Sequence, residues 1–443
     1  MSRLTNRQYL AVVLPFMFST VTQPLMGAVN TAVMGQLVDP AYIAGVSLGA
    51  ILFNTIYWLF GFLRVGTSGY AAQALGSGVW EQRVMSFCRP LVVAAIISSA
   101  IIILQKPIIH SFLKFVSPAE DVAAITSHYF TILVWGAPFT LFGYVSLGWL
   151  MGQARIKATL LMQMSSNILN IALCILFVNF LHWDVPGVAW ASLISQGYAC
   201  LLGFWLLNKY GGFRWRDVPV KILFKWQAFK ELIGTSSNLM IRTACLVTVN
   251  NLFAASGASF GTEVLAANAV LLQIQYILSY LLDGMGNTAS LFTGRAIGCR
   301  DQELFESTRK ISLKWVFIVA LILSSGYALS NNWLIGLFTD NPDVLATIGK
   351  YKMYVMFYPC CAGVGLMLYG MYTGATYTAP VRNMVVLAMG AFILGRQILI
   401  PMWGNDGLWV AFLAYYSVQS IFLAAFFGQL RRKANFPQIG NQA

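Results

Sequence analysis

Residues 9–37, YLAVVLPFMFSTVTQPLMGAVNTAVMGQL, form the stretch that decides the fold. At about 1.5 Å per residue a helix of this length crosses a bilayer, yet it contains Pro15 and Pro24 and a polar string that reaches Asn30. Each proline removes a backbone hydrogen bond, so neighbours or water must satisfy the freed carbonyls. We therefore expect a first helix that lines a wet cavity and has hinges at Pro15 and Pro24; a statically kinked packing helix is the alternative.

The composition sets the class of protein. Of 443 residues, 58% are hydrophobic and only 10% are charged, which indicates a polytopic membrane protein. A formal net charge of +13 is typical of nucleic-acid-binding proteins too, but the basic residues lie in short loops between apolar runs, where membrane topology explains them. We therefore expect membrane lipids as partners and no nucleic acid.

The cysteines and the amino terminus fit that class. The seven cysteines lie mostly inside apolar segments, so we interpret them as small buried hydrophobes and not as a disulfide framework. The first apolar run follows Arg3 and Arg7, is too long for the core of a signal peptide, and has no small-residue cleavage site after it. The sequence predicts an uncleaved first span.

Charges, prolines and glycines divide the chain into candidate helices. The pattern predicts an all-α fold with twelve transmembrane helices at roughly 9–37, 41–70, 84–104, 122–150, 157–180, 187–208, 228–257, 263–291, 309–330, 344–374, 382–402 and 407–430.

The distribution of basic residues predicts the orientation. The even-numbered connections and both termini hold twenty-one Lys and Arg, the odd-numbered connections hold four, and three lie within spans. Short cytoplasmic loops are the basic ones, so we expect both termini in the cytoplasm, in the inner membrane of a bacterium. The basic stretch 209–227 predicts a cytoplasmic linker whose amphipathic part rests on anionic lipid.

The two halves of the sequence resemble each other. Gln73-Ala-Leu-Gly76 recurs as Arg295-Ala-Ile-Gly298, and GWLMG at 148–152 recurs as GMYTG at 370–374, both 222 positions later. A third match, GVAWA at 187–191 with GLWVA at 407–411, is 220 positions apart. We therefore predict two six-helix pseudo-symmetric lobes, at 1–208 and 228–443, as in transporters that rock two bundles around a central site.

Several stretches resemble the multidrug and toxic compound extrusion (MATE) family, and its DinF branch most of all: LPFMFSTVTQPLMGAVNTAVMGQL, FLRVGTSGYAAQALG, GWLMGQARIKATLLMQMSSNILNIALCILFV, DVPGVAWAS, MIRTACL and LLDGMGNTASLFTGRAIGCRD. The resemblance covers nearly the whole chain. It implies a two-lobed antiporter, without a cofactor, that exports amphipathic organic cations using an inward gradient of protons or, second, of sodium. We expect a monomer.

The amino-terminal half departs from the family at two acids. Proton-coupled members that resemble this chain carry an aspartate on the first helix, where this chain has Asn30, and another on the fifth helix four residues after an asparagine, where it has Asn170 and then Cys174. An asparagine has no proton to release near neutral pH, and a thiol has a reference pKa of about 8.5. Asn30 is either an engineered mimic of a protonated aspartate or a natural divergence; a single engineered change does not explain Cys174.

Helical spacing groups these residues into one predicted site. Asn30 lies 23 residues after Arg7 and Cys174 lies 17 after Lys157, so both reach the outer half of the bilayer. Asn167 and Asn170 are one turn apart and share a face. Interhelical hydrogen bonding is the alternative for Asn167.

Charges within the predicted spans complete the set of candidates. Asp283 and Arg242 lie about 16–18 Å from the cytoplasmic ends of adjacent helices, which predicts a possible ion pair, and charges at that depth often mark ion or proton pathways. Arg64 lies closer to the inner surface, where its side chain could simply snorkel. Arg396 has no predicted partner.

Other classes of function fit the sequence less well. His110, His128 and His182 fall in or beside predicted external loops, and the chain has no zinc or phosphate-loop motif, so we expect neither an enzyme nor a metal site. A flippase for lipid-linked precursors is the alternative with the same architecture, but a pyrophosphate needs several cavity cations. A channel would need a ring of repeated polar side chains.

Overall fold

The protein is seen in a computed structural model that describes residues 4–34, 40–181, 183–211 and 220–434. The side chains of residues 21–34, 40, 41, 43, 220 and 221 lie outside that description. Every regular element within the described ranges is helical, and none of these residues belongs to a strand. The all-α prediction is confirmed.

The helices match the predicted twelve-span, two-lobe layout. Within the described residues, eleven helical stretches have the length and apolar composition of a membrane span, and the first predicted span coincides with α1. A 3₁₀ turn, Val134–Gly136, joins α6 to α7, and a π turn, Leu176–Phe180, extends α8. The helices are α1 Asn6–Met34, α2 Pro40–Leu59, α3 Phe62–Ser77, α4 Trp80–Ile103, α5 Gln105–Val116, α6 Glu120–Leu133, α7 Ala137–Gly152, α8 Ile156–Ile175, α9 Asp184–Gly211, α10 Val220–Leu223, α11 Trp226–Ala258, α12 Thr262–Gly298, α13 Gln302–Gly336, α14 Pro342–Gly374, α15 Ala379–Trp403, α16 Asn405–Ala425 and α17 Phe427–Lys433.

The second span differs from the prediction of one helix over 41–70. Its helix breaks between Leu59 and Phe62, where the Gly61 amide donates to the Trp58 carbonyl at 3.1 Å, and then continues as α3 to Ser77. The prediction ended where the sequence becomes small and polar. Small side chains such as those of Ser68 and Ala71 are instead buried against other helices, so the helix is extended by packing.

The helix α5 lies in a stretch that the sequence analysis assigned to an external loop. None of its twelve residues is buried, and Phe115 is 89% exposed. Its apolar residues Ile108, Phe112 and Phe115 recur at helical spacing, but the run is too short to register as a span.

Local capping explains where two long helices begin. The Asp301 carboxylate accepts a hydrogen bond from the Leu304 amide at 2.9 Å at the start of α13. The Asn341 side chain accepts from the amides of Asp343 and Val344 before α14, whose first residue is Pro342. Both caps satisfy amides that the first turn of a helix leaves without a carbonyl partner.

The backbone repeats with the same offsets as the sequence motifs. Residues with a left-handed φ lie at corresponding helix boundaries in the two halves, and the pairs are 222, 222 and 220 positions apart. They are Gly78 and Arg300 (φ 68° and 55°), Ala154 and Thr376 (56° and 54°), and Asp184 and Gly404 (46° and 57°). The internal duplication is therefore present in the fold.

Close helix crossings repeat in the same way. In each half, two glycines of one helix face carbonyl oxygens of another, and a Cβ at any of the four would collide with the opposite backbone. The contacts are Gly148 with Arg64, Gly152 with Ser68, Gly370 with Gly286, and Gly374 with Ser290. Every residue in the first two contacts lies 222 positions before its counterpart in the last two. Small residues allow backbones to approach where lipid provides no hydrophobic drive for association.

One compact unit contains residues Thr22–Ala74 and Val79–Leu232. Trp149 on α7 is fully buried there, and its Nε1 donates to the Arg83 carbonyl at 3.3 Å. The Gln153 amide on the same helix donates to the Ala71 carbonyl at 2.8 Å. These bonds satisfy polar groups that packing has removed from water.

The other compact unit contains Met1–Val21, Leu75–Gly78 and Ile233–Ala443. Asn268 on α12 and Asn405 on α16 exchange amide hydrogen bonds at 2.8 and 3.1 Å, and the Trp409 indole donates to Asn268 at 2.9 Å. The first part of α1 packs here on α12, because Thr20 donates to the Tyr280 carbonyl at 2.6 Å. The lobe limits at 208 and 228 remain a prediction.

We predict that Gly370→Ala destabilises the protein whereas Gly349→Ala on the same helix does not. The new methyl group at 370 would meet the backbone of Gly286, whereas nothing lies within 4 Å of a Cβ at 349. Overpacking of this kind costs about 1–3 kcal/mol, while alanine for glycine within a helix gains up to about 1 kcal/mol. Thermal unfolding in detergent tests this; equal midpoints for the two variants would refute the crossing as a stabilising contact.

Candidate functional site

The unit that contains α11 to α17 holds a pair of opposite charges far from the helix ends. Asp283 lies fifteen residues before the end of α12 at Gly298, and Arg242 lies sixteen residues after Trp226 at the start of α11. Every other carboxylate in the described helices lies within six residues of a helix end. Both charged side chains are half-buried.

An aromatic ring and a carboxylate both act on the Arg242 guanidinium. Its central carbon lies 3.9 Å from the centroid of the Tyr369 ring, a cation–π contact, and Asp283 is close enough to interact with it electrostatically. Arg242 and Asp283 therefore lie within electrostatic reach of each other, and an ion pair between them stays a prediction. Their role in transport remains a prediction.

Polar groups surround this charge pair. The Tyr358 hydroxyl lies near Ser279, Gln275 and Tyr416, and the rings of Tyr358 and Tyr416 are perpendicular with centroids 4.9 Å apart. The Tyr358 hydroxyl and both amide atoms of Gln275 are buried, and no described residue makes a hydrogen bond of good geometry with them. Buried polar groups of this kind favour bound water, a proton or a polar ligand atom, so this region can accommodate a change in protonation.

The two other predicted arginines lie elsewhere. Arg64 is half-buried near the start of α3, and its carbonyl forms the crossing with Gly148. Arg396 on α15 donates from Nη1 to the Ser256 hydroxyl at 3.1 Å. With the offset of 222, Arg396 occupies the position in the second half that Cys174 occupies in the first.

The unit that contains α2 to α9 holds a cluster of uncharged polar groups. The Asn170 amide on α8 donates to the hydroxyls of Ser192 and Ser195 on α9, each at 3.3 Å. Asn170 is 5% exposed, and its buried carbonyl oxygen accepts no hydrogen bond from the described residues. The Ser166 hydroxyl adds a bond to the Ser195 carbonyl at 3.3 Å. This cluster can bind a polar or cationic group through its oxygens, but none of these side chains exchanges a proton near neutral pH.

The remaining candidates in this half are placed as follows. Cys174 is buried at 1% exposure one turn after Asn170, and Asn167 is half-buried one turn before it. Pro15 is half-buried within an uninterrupted helix. The side chains of Asn30 and Pro24 lie outside the described residues.

Sequence reasoning missed the partners of the candidate residues. Ser192 and Ser195 are three residues apart on α9, a spacing that places both on one face, and this signal was available. Tyr369 and Tyr358 carried no such signal, because tyrosines at helical spacing occur equally in packed cores. The contact across helices is visible only in the fold.

We predict that exchanging the two charges restores stability that either reversal removes. Arg242→Asp and Asp283→Arg each place like charges together, whereas the double variant restores opposite charges, so the coupling energy should be about 1–3 kcal/mol. Thermal unfolding of the four proteins in detergent measures it. Arg242→Asp combined with Glu263→Arg, at the far end of α12, is the control and should show no recovery. Additive losses in the exchange would exclude the pairing.

Comparison with known proteins is consistent with this architecture. The family model MatE matches residues 15–176 and, separately, 239–395. The chain is 31% identical over 414 residues to DNA damage-inducible protein F of Escherichia coli K12, covering 93% of this chain and 90% of that protein. It is 21% identical to the probable multidrug resistance protein NorM of Bacillus subtilis 168, covering 92% of each.

A solved structure shows the same fold. The outward-facing conformation of a multidrug resistance MATE family transporter of the MOP superfamily superimposes with a TM-score of 0.88 at 19% identity, covering 97% of this chain and 98% of that one. The family model, the relative in Escherichia coli and the shared fold agree with the motifs, and the chain belongs to the MATE family of membrane transporters, in which it is similar to the DinF branch.

Proposed function

We propose that this protein exports amphipathic organic cations, drugs or toxins, from the bacterial cytoplasm by alternating access, driven by an inward proton gradient. We choose the proton because of the position of Asp283. Among the described residues it is the carboxylate that lies deepest within a span, and it lies beside Arg242. A sodium gradient is the competing driving force.

Two opposing influences make Asp283 suitable as a proton carrier. Removal from water favours the neutral carboxylic acid, whereas a nearby guanidinium favours the carboxylate. If rocking of the lobes changes the distance between Asp283 and Arg242, the proton is bound in one state and released in the other. The Tyr369 ring is a second partner for Arg242, at 3.9 Å. The guanidinium charge therefore keeps a stabilising contact when the Asp283 carboxylate is neutral.

The Asn170 cluster supports a different task. Its amide and hydroxyl groups are neutral, and Cys174 replaces the acid that related transporters carry, so we assign this cluster, with Asn167 and Asn30, to substrate or ion binding and not to proton transfer. In this proposal the kinking of α1 at Pro15 and Pro24 accompanies the change of access, and both termini stay in the cytoplasm of a monomeric protein.

The lipid flippase has weaker support from the described contacts. A pyrophosphate headgroup needs free cationic side chains, but Arg396 is bonded to Ser256 and Arg242 is engaged by Tyr369 and Asp283. Arg64 alone does not make such a site.

Transport into inverted membrane vesicles tests the function. A fluorescent organic cation should accumulate inside the vesicles when their lumen, which corresponds to the outside of the cell, is made acidic. Collapse of this pH gradient should stop uptake. A sodium gradient of equal size, imposed alone, should leave accumulation at the background level. Uptake driven by sodium only would overturn the choice of ion, and no uptake under either gradient would overturn the export proposal.

We predict that Asp283→Asn abolishes the pH dependence of transport while the protein still folds and binds substrate. Asparagine keeps the shape of the side chain but cannot carry a proton, so gradient-driven uptake should fall at least about tenfold, whereas substrate binding should change by less than about threefold. Glu263→Gln removes an acid at the exposed start of the same helix and should behave as wild type. An unchanged pH profile in Asp283→Asn would make Asp283 a structural residue.

A further inference from the structure

A cavity lies at the end of the helix bundle opposite to the basic connections. It has a volume of about 390 Å³ and is formed within one compact unit by the beginnings of α2 and α9 and by the middle of α6. Its lining consists of Tyr42, Ala124, Ile125, His128, Trp183, Asp184, Val185 and Pro186. We call it the Trp183 pocket. It shares no residue with the Asn170 cluster or the Asp283 pair.

One face of the Trp183 ring is fixed by packing against Phe177. It stacks on Phe177 with centroids 4.9 Å apart, and the Trp183 amide donates to the Phe177 carbonyl at 2.9 Å. The side chain is nevertheless 48% exposed, so part of the indole remains open to the pocket and to solvent. A tryptophan fixed on one face and accessible elsewhere is a good cation–π partner, and Tyr42 supplies a second aromatic ring.

Asp184 supplies the negative charge. It is half-buried, and no described residue forms an ion pair or a hydrogen bond with its carboxylate. The second half of the chain provides an internal comparison, because the position equivalent to Asp184 is Gly404, and the nearby acid there, Asp406, accepts a hydrogen bond from the Tyr354 hydroxyl at 2.8 Å. The acid of the second half is therefore engaged by its own protein, whereas the acid of the first half is available to a ligand.

The backbone of Asp184 is strained. Its φ of 46° lies in the left-handed region, where a side chain is unfavourable, whereas the equivalent Gly404 has a similar φ and no side chain. Asp184 is the first residue of α9, where the helix dipole favours an acid, but glycine would adopt this φ without strain. The backbone conformation therefore does not account for the acid.

We propose that the Trp183 pocket binds an organic ammonium group, a quaternary or protonated amine, between the Asp184 carboxylate and the rings of Trp183 and Tyr42. Aromatic rings with a carboxylate recognise ammonium groups that are too weakly hydrated to prefer water. The volume lies within the range of small-ligand sites. The ammonium group belongs either to a soluble cation or to the headgroup of a membrane lipid.

Equilibrium dialysis of the purified full-length protein in dodecyl maltoside, whose headgroup is uncharged, tests the site. Radiolabelled tetraethylammonium should bind to wild type, and Asp184→Asn and Trp183→Leu should each weaken the binding at least about tenfold. Asparagine also tolerates a positive φ, so Asp184→Asn should fold, and its thermal midpoint verifies this. Asp121→Asn, at the same end of the unit but outside the pocket, should bind as wild type.

Two further measurements separate this site from its alternatives. Choline should compete for it at least about tenfold better than 3,3-dimethyl-1-butanol, its uncharged analogue of equal shape. Asp283→Asn and Asn170→Ala should retain the binding, so the pocket can be confirmed even if the transport proposal fails. Equal binding in wild type and Asp184→Asn, or equal competition by the two analogues, would overturn the proposal.

Nanodiscs distinguish the two sources of the ammonium group. If a lipid headgroup occupies the pocket, tetraethylammonium should bind wild type at least about fivefold more weakly in phosphatidylcholine discs than in discs of digalactosyldiacylglycerol, whose headgroup has neither an ammonium group nor a net charge, and Asp184→Asn should show no such difference. If the ligand is a soluble cation, wild type should bind equally in both. Either result supports an ammonium site and names its ligand; a lipid dependence that persists in Asp184→Asn would contradict it.

Discussion

The close approach of helix backbones at paired glycines is the constraint on which both halves depend. In lipid, helices gain little by burying apolar side chains against one another, so association rests on van der Waals packing and interhelical hydrogen bonds. Gly148 and Gly152 in the first half, and Gly370 and Gly374 in the second, bring one helix against the carbonyls of another. Because the same contacts recur 222 positions apart, the two halves use the same mode of helix packing.

The polar chemistry differs between these duplicated scaffolds. The first half places neutral groups at Asn170, Ser192 and Ser195, whereas the second places charges at Arg242 and Asp283. Cys174 and Arg396 occupy equivalent positions with opposite character. A duplicated scaffold with divergent polar groups allows one half to bind and the other to carry charge, and the glycine crossings allow that divergence because none of them depends on a polar side chain.

The sequence predicted the features that repeat or that carry strong chemical contrast. Twelve spans follow from long apolar runs, the duplication from motifs at nearly one offset, and the electrostatic reach between Arg242 and Asp283 from two charges at similar depth. The break at Gly61 and the exposed helix α5 were missed, because a single glycine is tolerated within helices and a twelve-residue run is too short to indicate a span. The tyrosine partners were missed because contacts between distant helices leave no periodic signal in either one.

The anchoring of α1 links the charge pair to the helix that decided the fold. Thr20 donates to the Tyr280 carbonyl, and the Gly284 Cα has no side chain where Met17 approaches it; a Cβ there would lie 2.7 Å from the Met17 Cα. Tyr280 and Gly284 are three residues before and one residue after Asp283 on α12. A change of charge at Asp283 therefore occurs within one helical turn of the contacts that hold the first part of α1. Since α1 continues from this unit at Val21 into the other at Thr22, a proton carried by Asp283, as we propose, would be taken up beside a helix that is divided between the two units.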